Sequence, residues 1–284
     1  MAIFSNQATL TYNGNTTNSN TVYGELLEVL TATKTAVEGA YIPGDRLTYV
    51  VTLRNTGSTA LTNLTVTDDL GGYPFGTGTV YPLTYVADSV QVFAGGIPQA
   101  APAVTAGPPL VLSGIQVPAG SDTVIVYQAL ANNYASPAAD GTIVNTVTIT
   151  GGGLATPVTA TETVNANTAP ALTITKAISP TQVVDNQQIT YTFVIQNTGN
   201  SPVVATDNAV ITDTFDPILS NLAVTFDGAA WSQGIQYNYT PTTGLFATVP
   251  GQITVPAATY TQDPVTGEFI LIPGTVTLTV AGTV

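Results

Sequence analysis

The chain contains no cysteine and no histidine. Without cysteine there are no disulfide staples, no thiolate nucleophile and no sulfur-ligated metal site. Without histidine, the usual general base at neutral pH and the commonest transition-metal ligand are missing. Cations are almost as scarce: Lys and Arg number 4 against 17 Asp and Glu, a formal net charge of −13. Nucleic acids and anionic membranes need basic patches, which so few cations cannot build. No apolar run reaches the length of a membrane span. The opening MAIFSNQ lacks a basic segment followed by an apolar one, so no classical signal peptide is expected. The closing TVTLTVAGTV shows no sorting or lipidation pattern. Together these absences argue against an enzyme and against any metal or cofactor.

What is present is β-rich. A chain of 284 residues, 44% of them hydrophobic, can bury a sizeable core and suits two domains. Only 7% of residues are charged, and Thr, Val, Ala, Asn and Gly dominate while the strong helix formers Lys, Glu, Arg and Met are scarce. Widespread apolar alternation excludes intrinsic disorder.

The sequence repeats itself. LTATKT (Leu30 to Thr35) matches LTITKA (Leu172 to Ala177), and RLTYVVTLRN (Arg46 to Asn55) matches QITYTFVIQN (Gln188 to Asn197), each followed by Thr-Gly. LTVTD (Leu64 to Asp68) matches AVITD (Ala209 to Asp213), and the stretch from Ile115 to Ala129 matches Ile270 to Ala281. Between them, Ser89 to Phe93, Leu110 to Leu112 and Thr123 to Leu130 read as further strands. The first copy closes with VNTVTITGG (Val144 to Gly152), in which Asn145, Val147 and Ile149 share a face. No such strand closes the second copy. One with the same pattern stands at the other end of the chain: SNQATLTYNG (Ser5 to Gly14), with Asn6, Ala8, Leu10 and Tyr12 on one face.

These observations predict a definite layout. Residues 1–14 form a donor strand, 15–29 a flexible polar arm, and 30–152 a first β-sandwich. Residues 153–170 form a Thr-rich linker, and 171–284 a second sandwich lacking its last strand. A sandwich short of one strand exposes an unpaired edge and an open groove. A strand donated by another molecule fills both, and a donor and acceptor at opposite ends give a head-to-tail contact that grows into an open fibre. The competing reading, in which the strand folds back onto its own second domain, requires the arm to cross the whole first domain.

The quoted segments, with GDRLTYVVTLRNTGSTALTNLTVTDDL and GTIVNTVTITG in the first copy and QQITYTFVIQNTGN in the second, resemble the conserved repeat domain (DUF11) of bacterial and archaeal surface proteins. The resemblance covers nearly the whole chain. It implies an immunoglobulin-like β-sandwich used in extracellular architecture, without a catalytic role. The expected fold is therefore all-β, with two tandem immunoglobulin-like sandwiches, the second completed by the donated N-terminal strand.

One constellation carries possible chemistry. The chain's two lysines, Lys34 and Lys176, fall at matching positions. Strand parity places Lys176 on the face of Leu172 and Ile174, Asp68 with Leu64 and Val66, Asp213 with Ala209 and Ile211, and Asn145 with Val147 and Ile149. Such groups are costly to bury unless they meet. First and last strands of immunoglobulin-like sandwiches commonly run side by side, which would bring Lys34 to Asn145. Burial favours a neutral, nucleophilic amine and a protonated acid that polarises the carboxamide. Attack then releases ammonia and leaves a Lys–Asn isopeptide bond, an arrangement similar to the self-made crosslinks of Gram-positive pilin and adhesin domains. The candidate trios are Lys34, Asp68 and Asn145 within the first domain, and Lys176, Asp213 and an incoming Asn6 between two molecules. A buried Lys–Asp pair hydrogen-bonded to Asn is the unreactive alternative.

Asp68-Asp69 and Asp213 with Asp216 could be read as calcium ligands or a hydrolytic carboxylate pair, but neither an Asp-rich loop of EF-hand spacing nor a cleft is visible. Asn55-Thr56-Gly57 and Asn197-Thr198-Gly199 read as turns, and Trp231 as a core or interface residue. The expected function is a structural subunit of an extracellular filament, on a cell or spore surface, whose partner is itself. A non-polymerising adhesin or stalk module is the alternative.

Overall fold

The computed structural model describes residues 2–284, without the side chains of Ala2 and Leu26. Met1, part of the expected donor segment, lies outside the described residues. Four short strands come first: β1 (Ala2–Asn6), β2 (Thr9–Tyr12), β3 (Asn15–Asn18) and β4 (Val22–Leu26). They make one antiparallel hairpin in which Phe4 lies opposite Gly24, Asn6 opposite Val22 and Leu10 opposite Thr17. At its tip Asn13 and Gly14 both take positive φ, 44° and 81°, the two-residue turn whose twist matches that of paired strands.

Residues 15–29 are therefore mostly strand, which corrects the flexible-arm reading. Their polar composition describes a solvent-facing pleat once the Asn-Gly turn supplies a partner. The first strand is itself divided, with a break at Gln7 and Ala8. The hairpin's hydrogen bonds close on itself, as where the Ser19 N–H donates to the Ala8 carbonyl at 2.8 Å. Ile3, Phe4, Leu10, Tyr12, Val22 and Tyr23 are all exposed.

The first domain is built from β5 (Leu30–Ala36), β6 (Arg46–Asn55), β7 (Leu61–Asp68), β8 (Gln91–Ala94), β9 (Ala103–Ala106), β10 (Leu110–Val117), β11 (Asp122–Ala131), β12 (Thr142–Gly151) and β13 (Val158–Ala166). One sheet runs β8-β11-β6-β5, the other β9-β10-β7-β12-β13. Strict alternation sets the core: Leu47, Tyr49, Val51 and Leu53 from β6, and Ile143, Val147 and Ile149 from β12, point into one shared interior.

Two expectations change here. The supposed linker 153–170 contains β13, which pairs with β12 along its length and buries Val164 and Ala166. Its threonines alternate with these apolar residues, so a Thr-rich stretch was a half-buried strand. In addition, β5 and β12 do not run side by side. The first pairs with β6 and the second with β7 and β13, in opposite sheets, so Lys34 and Asn145 enter the core from different sheets.

The second domain repeats the larger sheet. Its strands β14 (Leu172–Ser179), β15 (Gln188–Asn197), β20 (Gly274–Thr283) and β17 (Ser220–Phe226) run in that order, matching β5, β6, β11 and β8. The other sheet has three strands, β16 (Thr212–Thr214), β19 (Leu245–Thr248) and β18 (Tyr237–Thr240), matching β7, β10 and β9. Among the described residues nothing stands beside β16 where β12 and β13 stand in the first domain. The stretch from Ile270 to Ala281 is divided at Pro273, its first part pairing with Thr259–Gln262. That hairpin docks on the first domain, where the Phe269 N–H donates to the Asn133 carbonyl at 3.0 Å.

Asn55 and Asn197 do the same work in both domains. Each carboxamide accepts from the glycine N–H two residues on, at 2.9 Å, and donates to a loop carbonyl, Thr59 at 2.8 Å and Ser201 at 2.7 Å. These are the Asn-Thr-Gly turns.

Buried phenols make the fold alkali-sensitive. Burial penalises the phenolate, raising Tyr41 from 10.0 to about 12 and holding Tyr49 and Tyr127 far above their ordinary value. Above that ordinary value the folded chain keeps protons that the unfolded chain releases, so stability is complete below pH 10 and lost as pH climbs past 12. The melting temperature should fall steeply across this window, and less steeply in Tyr41→Phe.

Candidate functional site

Strand alternation drives Lys34 from β5, Asp68 from the end of β7 and Asn145 from β12 into the same interior. All three are buried, Lys34 and Asp68 with side-chain exposures of 0% and 2%. The Lys34 Nζ donates to Asp68 Oδ2 at 2.8 Å and lies 4.8 Å from the centre of the Tyr49 ring. Asp68 also accepts from the Leu70 N–H at 2.8 Å and from the Tyr127 hydroxyl. Val147 sits opposite Asp68 in the ladder, which puts Asn145 two residues further along on the same inward face.

The Asn145 carboxamide is the anomaly. Both of its polar side-chain atoms are buried without a hydrogen-bond partner, as is the Tyr49 hydroxyl. Such a group costs about 1–3 kcal/mol. Burial lowers the Lys34 pKa below its ordinary value, outweighing the opposing pull of Asp68. Transfer of one proton along the Lys34–Asp68 hydrogen bond gives a neutral amine beside a protonated acid. This is the pair needed for attack on a carboxamide.

Tyr49 and Tyr127, stacked at 5.7 Å, were not foreseen as part of this cluster. Their signal was present: each alternates with core residues on its strand, and they pair directly across β6 and β11. Asp69 takes a different role. Its Oδ1 accepts from the Gly71 and Thr146 N–H groups, both at 2.9 Å, tying the β7 end to β12.

The second station is the same device left open. Lys176 and Asp213 form an ion pair, with side-chain exposures of 40% and 18%. Lys176 Nζ lies 4.4 Å from the Tyr191 ring centre and 5.6 Å from that of Phe215, the counterparts of Tyr49 and Leu70. Asn6 is on the exposed hairpin, and the structure does not bring it to this pair. Trp231 stacks on Phe226 at 4.9 Å, against the second core. Among the described residues no helix is long and apolar enough to cross a membrane.

No protein-family model and no curated protein matches the chain. Among solved structures it is similar to the pilus backbone RrgB of Streptococcus pneumoniae, at 14% identity and a TM-score of 0.36, over 86% of this chain and 55% of that one. It is also similar to a C-terminal fragment of the major pilin GBS80 of Streptococcus agalactiae, at 11% identity and a TM-score of 0.36, over 87% and 91%. A third is ACE19, the collagen-binding subdomain of the Enterococcus faecalis surface protein ACE, at 9% identity and a TM-score of 0.32, over 50% and 99%. The chain thus spans about half the length of the pneumococcal backbone protein. Likeness this distant has no bearing on the chemistry of the site, which rests on its geometry.

If Lys34 and Asn145 react, the intact protein is lighter than its sequence by one ammonia. Asn145→Ala and Asp68→Asn should both restore the full mass. The crosslink closes a long loop, so Asn145→Ala should also lose about 4–5 kcal/mol of stability by the loop-closure entropy of a bridge of that span. Intact-mass spectrometry and thermal melts check both. Full mass in the unaltered protein would assign the trio to the unreactive pair.

Proposed function

We propose that the protein is the structural subunit of an extracellular filament on a cell or spore surface. Copies join head-to-tail by donor-strand complementation, and the first domain is reinforced by a Lys34–Asn145 isopeptide bond. The observation that carries this reading is the mismatch between the two small sheets. In the first domain β12 and β13 cover the edge of β7. In the second the corresponding edge of β16 is bare, while an exposed hairpin carrying the β12 pattern waits at the other end of the chain.

The physical argument is complementarity. A bare edge offers unpaired N–H and C=O groups, and the exposed Leu172, Ile174 and Val210 beside it offer apolar surface. The donor segment brings a strand with Phe4, Ala8 and Leu10 on one face. The reading assigns the protein no catalytic turnover, since each trio would react once. It needs no nucleic acid, membrane or cofactor, only further copies of the chain.

Negative-stain electron microscopy of the full chain and of a variant lacking residues 1–14 tests this. Fibres should appear in the full-length sample and be absent from the truncated one. Monodisperse particles in both would leave a non-polymerising adhesin or stalk module.

A further inference from the structure

We infer that the joining element is the whole hairpin of residues 2–26, not a single strand, and that it seats Asn6 against Lys176 and Asp213, where an isopeptide bond seals one subunit to the next. The inference rests on the head-to-tail reading above and adds to it the size of the donated element, its register and a covalent seam.

The size follows from what the first domain places in the same position. There, two strands complete the small sheet: β12 pairs with β7, and β13 pairs with β12. The second strand has its own task. Val158 and Ala160 of β13 pack onto the core beside Ala32 and Ala36 of β5, which keeps the apolar side of β5 covered. In the second domain the equivalent strand β14 is exposed at every residue, with Leu172 at 43%, Ile174 at 53% and Ile178 at 41%. A lone donated strand would fill the place of β12 and leave this stripe bare. The hairpin β1–β4 has two strands already paired and exposed, and so fills both places.

The register follows from aligning Asn6 with Asn145. Phe4, Ala8 and Leu10 then take the places of Ile143, Val147 and Ile149, all buried in the first domain. Because Val147 lies opposite Asp68 and Ile149 opposite Val66, Ala8 falls opposite Asp213 and Leu10 opposite Ile211. The cross-strand partners adjust as well. Ile143 faces Val164 in the first domain, whereas Phe4 faces Gly24 in the hairpin. A Cβ on Gly24 would come within 2.3 Å of the Phe4 ring, so the larger inward residue is matched by an absent side chain across from it. That compensation has a use if both strands are buried together.

The chemistry balances within the three residues. Lys176 passes one proton to Asp213, and its neutral Nζ attacks Cγ of Asn6, polarised by the protonated acid. The new Cγ–Nζ bond forms, the Cγ–Nδ2 bond breaks, and the departing nitrogen leaves as ammonia with the proton shed by the amine. Asp213 then gives up the proton it took, which leaves with the ammonia as ammonium, and ends as the carboxylate it began. In the free chain Lys176 and Asp213 keep side-chain exposures of 40% and 18%, so the amine stays in contact with water. Seating the hairpin buries it, so the bond forms after assembly.

Fibres of the full chain, boiled in detergent and run on a denaturing gel, should give a covalent ladder. Their digests should contain a branched peptide joining Asn6 to Lys176, one ammonia lighter than its parts. Asn6→Ala and Lys176→Arg should still give fibres under the microscope, but fibres that boil down to monomers. Two proline variants test the hairpin. Adjacent strand amides point to opposite sides, so one of Val22→Pro and Tyr23→Pro must strike the pairing with β1. That variant should lose fibres, whereas a solvated arm would tolerate both. Unaltered fibres that boil to monomers without the branched peptide overturn the seam. Wild-type fibre yield in both proline variants overturns the hairpin. In each of these two cases the filament reading stands, whereas absence of fibres from the unaltered chain overturns that reading and this inference together.

Discussion

Each strand carries donors and acceptors on two sides, and a sheet is complete only when both sides are met. That constraint organises this protein. The first domain meets it internally, by turning back from β12 into β13 over the end of its small sheet. The second has the same larger sheet and the same three-stranded start of the smaller one, with β16 left bare on one side. The proposed polymer, its polarity and the proposed crosslink all follow from how that edge is satisfied.

The two domains act as internal controls for each other. In the first, desolvation lowers the Lys34 pKa, and Asp68 gathers the amine, a phenol and a backbone N–H around one carboxylate. The carboxamide of Asn145 is buried beside them without a partner. In the second, lysine and aspartate meet in the same way but in partial contact with water, and Val280 takes the position that Tyr127 holds in the first. The difference between a closed, buried cluster and a partly open ion pair is therefore whether two further strands are present. Chemistry in this design is controlled by burial, and burial by strand pairing.

Much of this was legible in the chain because strand periodicity is short. Parity alone put Lys176, Asp68, Asp213 and Asn145 on the apolar faces of their strands, and the internal repeat aligned Lys34 with Lys176. Pairing partners were less legible, because they depend on contacts distant in sequence. Asn15–Asn18 and Val158–Ala166 read as arm and linker from their threonines and asparagines, although both are return strands of hairpins. The Asn13-Gly14 turn and the alternation ending at Val164 and Ala166 were the local signals for them. Tyr127 escaped notice because its role depends on the acid opposite it and not on its neighbours in sequence.

By itself, then, the sequence determined that the chain is all-β, that it repeats, and which polar residues must face inward. These are consequences of composition and of a period of two, which act over a few residues. Only the tertiary structure decided that Lys34 and Asn145 enter one core from strands of opposed sheets, that the N-terminal segment is a two-stranded unit, and that the second small sheet stops, among the described residues, at β16. Those outcomes depend on which strand lies beside which. Pairing energy is shared between segments far apart in the chain, so no single stretch records it.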